Sequence, residues 1–291
     1  MQIIHAVRDM QLQSLSWRAA GWRIAFVPTM GNLHEGHLSL VREAARRGDR
    51  VVVSIFVNPL QFNEAADYRH YPRTFEQDRQ QLAALDVAAV FAPDEAAMYP
   101  EGRESVTRVE VPQLTSELEG AHRPGHFTGV ATVVTKLFQA VLPDLALFGE
   151  KDYQQLLVVR KLAADLNMPV EVIGLPTRRE ADGLAMSSRN SRLRAPERRQ
   201  APALYATLQW VGEQWRAGEI DLSALEAAAM ARLADAGFAP EYISLRDAAT
   251  LQPPAAGRPV VVLGAARLGE VRLIDNLRIG ATQPQGADAV K

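Results

Sequence analysis

The sequence predicts an open, doubly wound α/β sheet followed by a smaller α+β domain, and three observations predict it. Short apolar runs rich in Val, Ile and Phe alternate with stretches of helical period as far as Pro176. Turn-forming residues such as Asn58-Pro59 and Gly149 punctuate those runs. Beyond Pro176 the order changes to a polar loop, two helices and then three strand-like segments.

"RIAFVPTM" (Arg23–Met30) reads as a buried strand stopped by Pro28. Leu38, Val41, Ala44 and Ala45 then recur at helical spacing, and Gly48 closes that helix. "VVVSIFVN" (Val51–Asn58) is apolar almost throughout, as strands covered on both faces are. Strand, helix and strand within roughly 30 residues form a βαβ unit, which requires parallel pairing. The alternation continues through helical "QDRQQLAALD", strand "AAVFAP", helical "GVATVVTKLFQAVL", strand "LALFGEKD", helical "YQQLLVVRKLAADLN" and strand "VEVIGLPT". A Rossmann-like sheet follows, with ligands expected at the carboxyl ends of its strands.

"READGLAMSSRNSRL" (Arg179–Leu193) is a polar loop. Helices are expected at about Glu197–Ala217 and Asp221–Ala236, the second with Asp221 as N-cap and Gly237 as C-cap. "EYISLRD", "RPVVVLGAARLG" and "VRLIDNL" complete the chain as strands. The expected domains are therefore 1–176, a C-terminal α+β domain over 177–283, and a loose tail over 284–291.

Composition narrows the function classes. Hydrophobic residues make up 47% and charged residues 23%, the proportions of an ordinary globular protein. A net charge of -2, with no basic stripe, gives no attraction to nucleic acid or anionic lipid. There are no cysteines, which excludes thiol nucleophiles, cysteine zinc sites and disulfides, and fits a reducing compartment. Arg8 and Asp9 interrupt the N-terminal apolar stretch where a signal peptide needs an unbroken core. Lys136, Pro143 and Asp144 interrupt the longest apolar region, so it is no membrane span. A cytoplasmic protein without nucleic-acid or membrane partners is expected.

Three polar segments carry the chemistry. In "PTMGNLHEGHL" (Pro28–Leu38) the histidines of His34-Glu35-Gly36-His37 are three apart, one short of the H-E-x-x-H zinc motif, and no further ligand cluster accompanies them. Gly31 and Gly36 have P-loop spacing, but His37-Leu38 replaces the lysine and hydroxyl that would meet phosphate and magnesium. What remains is a glycine-containing turn opening a helix, whose unpaired N–H groups and positive dipole end suit an anion. Paired imidazoles there can hydrogen-bond phosphate, more strongly if protonated, although His34 taken alone could merely cap the turn. "GEKD" (Gly149, Glu150, Lys151, Asp152) ends another strand on the same rim and offers a compact cation. The hydroxyls and arginine of Met186, Ser187, Ser188, Arg189 and Asn190, with Gly183 nearby, make a flexible phosphate clamp. Taken singly, each of the last two is an ordinary polar turn.

Taken together and in order, "PTMGNLHEGH", "SIFVNPLQF", "YPRT", "RPGHFTGVATVVTKLF", "FGEKDYQQ", "DGLAMSSRN" and "RLIDN" resemble the pantothenate synthetase (pantoate–β-alanine ligase) family, from about Ile3 to Asn276. That family is a branch of the nucleotidyltransferases related to class I aminoacyl-tRNA synthetases. His34-Glu35-Gly36-His37 is similar to their H-x-G-H element and Met186-Ser187-Ser188-Arg189 to their K-M-S-K-S loop, with Ala185 and Arg189 at positions usually held by lysine.

The resemblance implies attack of the pantoate carboxylate on the α-phosphorus of ATP, then attack of the β-alanine amine on the adenylated acyl carbon. ATP is a substrate, Mg2+ its expected counterion, and the metal ligands are unassigned. By the same resemblance His34 and His37 bind phosphate, with His37 as general acid, and Lys151 meets the α-phosphate and pyrophosphate. Ser187, Ser188 and Arg189 close over the β- and γ-phosphates. Met30, Gly31, Asn32, Leu33, Glu35, Gly36, Gly149, Glu150, Asp152 and Met186 complete the nucleotide site, and Arg178 joins it through its backbone. Gln61 binds pantoate and β-alanine, and Gln155 binds pantoate. Leu60 stands where the family commonly has methionine, a volume-conserving exchange. The resemblance implies a homodimer and assigns no role to Asp78 or Arg123. Two rivals are a nucleotidyltransferase that releases its adenylylated product and a nucleotide-sensing or RNA-contacting module without chemistry. The balanced charge opposes RNA, and the retained histidines, Lys151 and serine loop oppose lost catalysis.

Overall fold

A computed structural model describes residues 1–218 and 221–280, which divide into two compact units, Met1–Thr177 and Arg178 onward. The tail expected at 284–291 lies outside the described residues.

Six parallel strands build the first unit: β1 (Gln2–Ile4), β2 (Ile24–Thr29), β3 (Arg50–Ile55), β4 (Ala89–Phe91), β5 (Leu145–Gly149) and β6 (Glu171–Leu175). Between them run helices α1 (Val7–Ala19), α2 (Glu35–Arg47), the short α3 (Ala65–Arg69), α4 (Phe75–Ala83), the short α5 (Glu95–Met98) and α6 (Glu119–His122), then α7 (His126–Val141) and α8 (Tyr153–Asp165). Both sheet faces are covered, and the strands show it residue by residue. Ile24 and Phe26 of β2 enter one apolar cluster with residues of α1, α7 and α8. Ala25 and Val27 enter a second with residues of α2 and α4. Strand alternation therefore supplies both cores at once, and each fully buried Phe or Leu contributes about 2–3 kcal/mol.

Strand order is β1-β4-β3-β2-β5-β6. The chain moves from β2 outward through β3 and β4, then returns to β5 and β6 on the other side, so the topological switch lies between β2 and β5. Pro28 corrects one expectation: it lies inside β2, paired with Ser54 of β3, instead of stopping the strand. The Ile24 carbonyl accepts from the Asp144 amide at 2.9 Å, so Ile24, Phe26 and Pro28 present their backbone groups toward β5. Pro28 has no N–H to donate there, and β2 pairs with β5 only at Ala25 and Phe26. Beyond that point the two strands are unpaired at their carboxyl ends.

The second unit begins with the polar loop and continues through α9 (Ala195–Gln200), α10 (Ala203–Arg216) and α11 (Leu222–Asp235) to an antiparallel sheet of β7 (Ala239–Asp247), β8 (Val260–Leu268) and β9 (Val271–Ile279). The single helix expected over Glu197–Ala217 is interrupted at Ala201-Pro202, because proline supplies no N–H for a continuous ladder. Asp221 caps α11 by accepting from the Ala224 amide at 3.0 Å, and Gly237 follows in the left-handed conformation at φ +88°. Leu204, Leu208, Leu225 and Leu233 of these helices meet Ile243, Val260 and Val262 of the sheet in one core. No helix among the described residues is long and apolar enough to cross a membrane.

Candidate active site

The turn from β2 to α2 is built by its own side chains. Gly31 (φ +79°) and Asn32 (φ +51°) are both left-handed, which reverses the chain within two residues. The Thr29 hydroxyl accepts from the Gly31 amide at 3.2 Å and donates to the Ser54 carbonyl at 2.6 Å. The Asp78 carboxylate accepts from the amides of Asn32 at 2.9 Å and Leu33 at 2.8 Å. His34 is the N-cap of α2, its Nδ1 accepting from the Gly36 amide at 3.2 Å, and the His34 amide donates to His37 Nδ1 at 3.4 Å. The His37 amide donates to the His34 carbonyl at 2.8 Å.

These bonds correct the expectation of unpaired N–H groups. The amides of Gly31, Asn32, Leu33, His34, Gly36 and His37 already have acceptors within the protein. What the turn offers an anion is the positive end of α2 and the two imidazoles. Each ring accepts at Nδ1, which leaves its proton on Nε2. The ring centroids are 4.1 Å apart. Burial, then the Lys151 charge, lowers the His34 pKa to about 4 against an opposing contribution from Asp152. Burial, then His34 and Lys151, lowers that of His37 to about 3. Both rings are therefore neutral near pH 7, each with one Nε2–H donor. The ring expected to act as a general acid therefore carries only the single donor of a neutral imidazole. Glu35 pairs its carboxylate with Arg42.

Gly149 ends β5, and Glu150, Lys151 and Asp152 form a 3-10 turn that leads directly into α8. Because β5 neighbours β2, this turn lies beside the one that carries the imidazoles, and the Lys151 charge adds to burial in lowering both pKa values. Lys151 Nζ lies 3.9 Å from Asp152 Oδ2. Gln155 occupies the first turn of α8, half-buried. Its neighbour Gln154 is buried and satisfied by the Glu119 amide and the carbonyls of Leu114 and Glu117.

Gln61 lies in the 3-10 turn Pro59–Gln61 after β3, and its Nε2 is 3.3 Å from Met30 Sδ. Its orientation is determined by buried Asn58. Asn58 Oδ1 accepts from the Leu60 amide and from the Tyr99 hydroxyl, the latter at 2.7 Å, while Nδ2 donates to the Gly129 carbonyl and to Gln61 Oε1 at 3.0 Å. Since a carbonyl only accepts and an amide N–H only donates, Asn58 has one satisfactory orientation, and Gln61 is left presenting its NH2 group. Behind the turn, His126 Nδ1 donates to the Gln61 carbonyl at 2.8 Å and Nε2 accepts from Arg123 at 3.1 Å. Burial, then the Arg123 charge, lowers the His126 pKa to about 4.

Arg178, Met186, Ser187, Ser188 and Arg189 belong to the second unit and are placed within it. The Arg178 carbonyl accepts from the Met186 amide at 2.9 Å, so that backbone group is engaged. Ser187 caps a 3-10 turn, its hydroxyl accepting from the Arg189 amide at 3.2 Å. Arg179 anchors the base of this loop by a bidentate pair with Asp275, at 2.6 and 2.9 Å, while stacked 3.5 Å above the Tyr205 ring.

Asn58, Tyr99, His126 and the clamping role of Asp78 are the residues that sequence reasoning missed. A buried asparagine closing an apolar strand and a histidine opening an apolar helix were the available signals. Among the described residues no group of three His, Cys, Asp or Glu side chains could hold a metal ion.

The sequence model of one protein family, pantoate-beta-alanine ligase, matches residues 2–278. The pantothenate synthetase of Thioalkalivibrio sulfidiphilus is 55% identical over 280 residues, covering 96% of this chain and 98% of that one. That of Photobacterium profundum is 53% identical over 285 residues, covering 98% and 97%. A crystal structure of pantothenate synthetase from Thermus thermophilus superposes with a TM-score of 0.85 at 47% identity, over 95% of this chain and 99% of that one. A pantoate-beta-alanine ligase from Francisella tularensis, complexed with beta-gamma ATP and beta-alanine, superposes with a TM-score of 0.81 at 37% identity, over 95% and 97%.

Proposed function

The chain belongs to the pantoate-beta-alanine ligase family, and from that premise we infer how its own residues carry the reaction. The enzyme condenses (R)-pantoate with β-alanine to pantothenate at the expense of ATP, releasing AMP and pyrophosphate, a step of pantothenate biosynthesis. A pantoate carboxylate oxygen attacks the α-phosphorus and pyrophosphate leaves. The free amine of β-alanine then attacks the acyl carbon, and AMP leaves with the oxygen that pantoate supplied.

The observation that best supports the residue assignment is the adjacency of β2 and β5, which part from each other beyond Phe26, so that the Lys151 charge helps to depress the pKa of His34 and of His37. Attack of one anion on another concentrates negative charge, and fixed donors at a sheltered site stabilise it by about 3 kcal/mol each. His34 and His37 donate Nε2–H to ATP phosphates, and Lys151 meets the α-phosphate and the departing pyrophosphate. Met30 through Gly36 and Gly149 through Asp152 line the nucleotide by backbone and ribose contacts. Gln61 presents its NH2 group to pantoate and lies on the approach of β-alanine, while the Gln155 amide serves pantoate. Arg178 contributes backbone, and Met186, Ser187, Ser188 and Arg189 take the β- and γ-phosphates. Magnesium enters as the counterion of ATP. Family resemblance supports a homodimer, and the cysteine-free sequence a cytoplasmic location.

The test is ATP–pyrophosphate exchange without β-alanine. Exchange that requires pantoate supports the first step, and exchange indifferent to pantoate removes it.

A further inference from the structure

Asp78 lies in the first half of α4, far in sequence from the turn it holds. The residue is 1% exposed, yet no lysine or arginine pairs with it among the described residues. Its hydrogen-bond donors are the amides of Asn32 and Leu33 and the hydroxyl of Thr74 at 3.1 Å. Oδ1 takes Leu33, and Oδ2 takes Asn32 and Thr74. A carboxylate buried without a cation is costly unless its hydrogen bonds compensate, so these three donors and the N-terminal end of α4 must stabilise it. The two amides it holds directly precede His34, and they follow or belong to the left-handed pair Gly31-Asn32. A β-carbon on Gly31 would lie 3.1 Å from Asp78 Oδ2, so the carboxylate sits against the inside of the turn.

Resting on the ligase reading, we propose that Asp78 is a positioning residue for ATP. It clamps the turn in its left-handed course so that the caps made by His34 and His37 direct both Nε2–H groups at the phosphates. Its acceptor oxygens are turned to the protein backbone, which separates it from a group that binds nucleotide directly. A carboxylate is required because it alone accepts on both oxygens. An asparagine would place an NH2 group against one of the two amides.

Asp78→Asn keeps the side chain's volume and removes one acceptor. In pantoate-dependent ATP–pyrophosphate exchange it is expected to raise the KM for ATP about 10-fold or more and to lower kcat, as displacements of about 1 Å do, with the KM for pantoate nearly unchanged. A merely structural role would reduce the active fraction, lowering kcat and leaving both KM values where they were. An unchanged KM for ATP overturns the proposal. A second measurement needs no variant: hydrogen exchange of the native protein should show the Asn32 and Leu33 amides protected despite their place in a turn, and exchange at the rate of open loop amides overturns the clamp. If the unaltered enzyme shows no pantoate-dependent exchange, the ligase reading itself fails. If it does and Asp78→Asn matches it, only the role of Asp78 fails.

Discussion

Gly129→Ala is predicted to leave the protein folded and to impair pantoate use specifically. Gly129 lies on α7 against the turn that carries Gln61, and a β-carbon there would stand 2.3 Å from the Leu60 carbonyl oxygen and 2.8 Å from the Gln61 nitrogen. Contacts of a β-carbon below 3.0 Å do not persist, so the Leu60–Gln61 segment must retreat by at least about 0.7 Å. That movement strains the bond from Asn58 Nδ2 to the Gly129 carbonyl and carries Gln61 away from Met30. Two energies compete in stability. Overpacking costs about 1–3 kcal/mol, whereas alanine is about 1 kcal/mol better than glycine inside a helix. The net loss of about 0–2 kcal/mol leaves the fold intact. Activity has no such compensation, and a displacement near 1 Å at a substrate-orienting amide lowers kcat/KM by roughly 10²-fold. The assay is kcat/KM for pantoate in the exchange reaction, beside a thermal melt and the KM for ATP. A folded variant with unaltered kcat/KM for pantoate would refute the reasoning, and so would a defect confined to ATP.

Replacing His37 tests the donor role. His37→Ala is expected to lower kcat roughly 10²–10³-fold, whereas His37→Gln, which keeps an N–H donor, recovers part of that loss; equal losses would indicate proton transfer by the ring. Stability should fall on acidification. His37 and His126 have folded-state pKa values of about 3 and about 4, below the unfolded value near 6.5, so between these limits the unfolded chain binds more protons and stability rises with pH. Acidifying from pH 6.5 to 5 should cost about 2 kcal/mol for each ring, read as a falling Tm; a Tm constant over that interval contradicts the burial of neutral rings.

Much of the architecture was legible in the sequence because it depends on local periodicity. The apolar runs at Val51 and Leu145 and the helical spacing from Leu38 to Ala45 became β3, β5 and α2 with small shifts of boundary. The three-residue β1 carries too short a pattern to be read alone, and it is stabilised by pairing with β4, distant in sequence. Pro28 misled because proline forbids only the bond on its own side of the strand. The place of "HEGH" at a strand-to-helix turn was legible, but its protonation state was not, since burial and the Lys151 charge arise from the adjacency of β2 and β5. Asp78 was invisible as a clamp for a similar reason. Its partners lie 45 and 46 residues away, and nothing local separates it from the other acids of an exposed-looking helix.

The most direct test of adenylate formation follows an oxygen atom. Pantoate labelled with 18O in its carboxylate, turned over with ATP and β-alanine, should deliver one labelled oxygen to AMP for each pantothenate formed, because that oxygen bridges the acyl carbon and the α-phosphorus. AMP free of label would contradict activation at the α-phosphorus, and label in inorganic phosphate would place the attack on the γ-phosphorus instead.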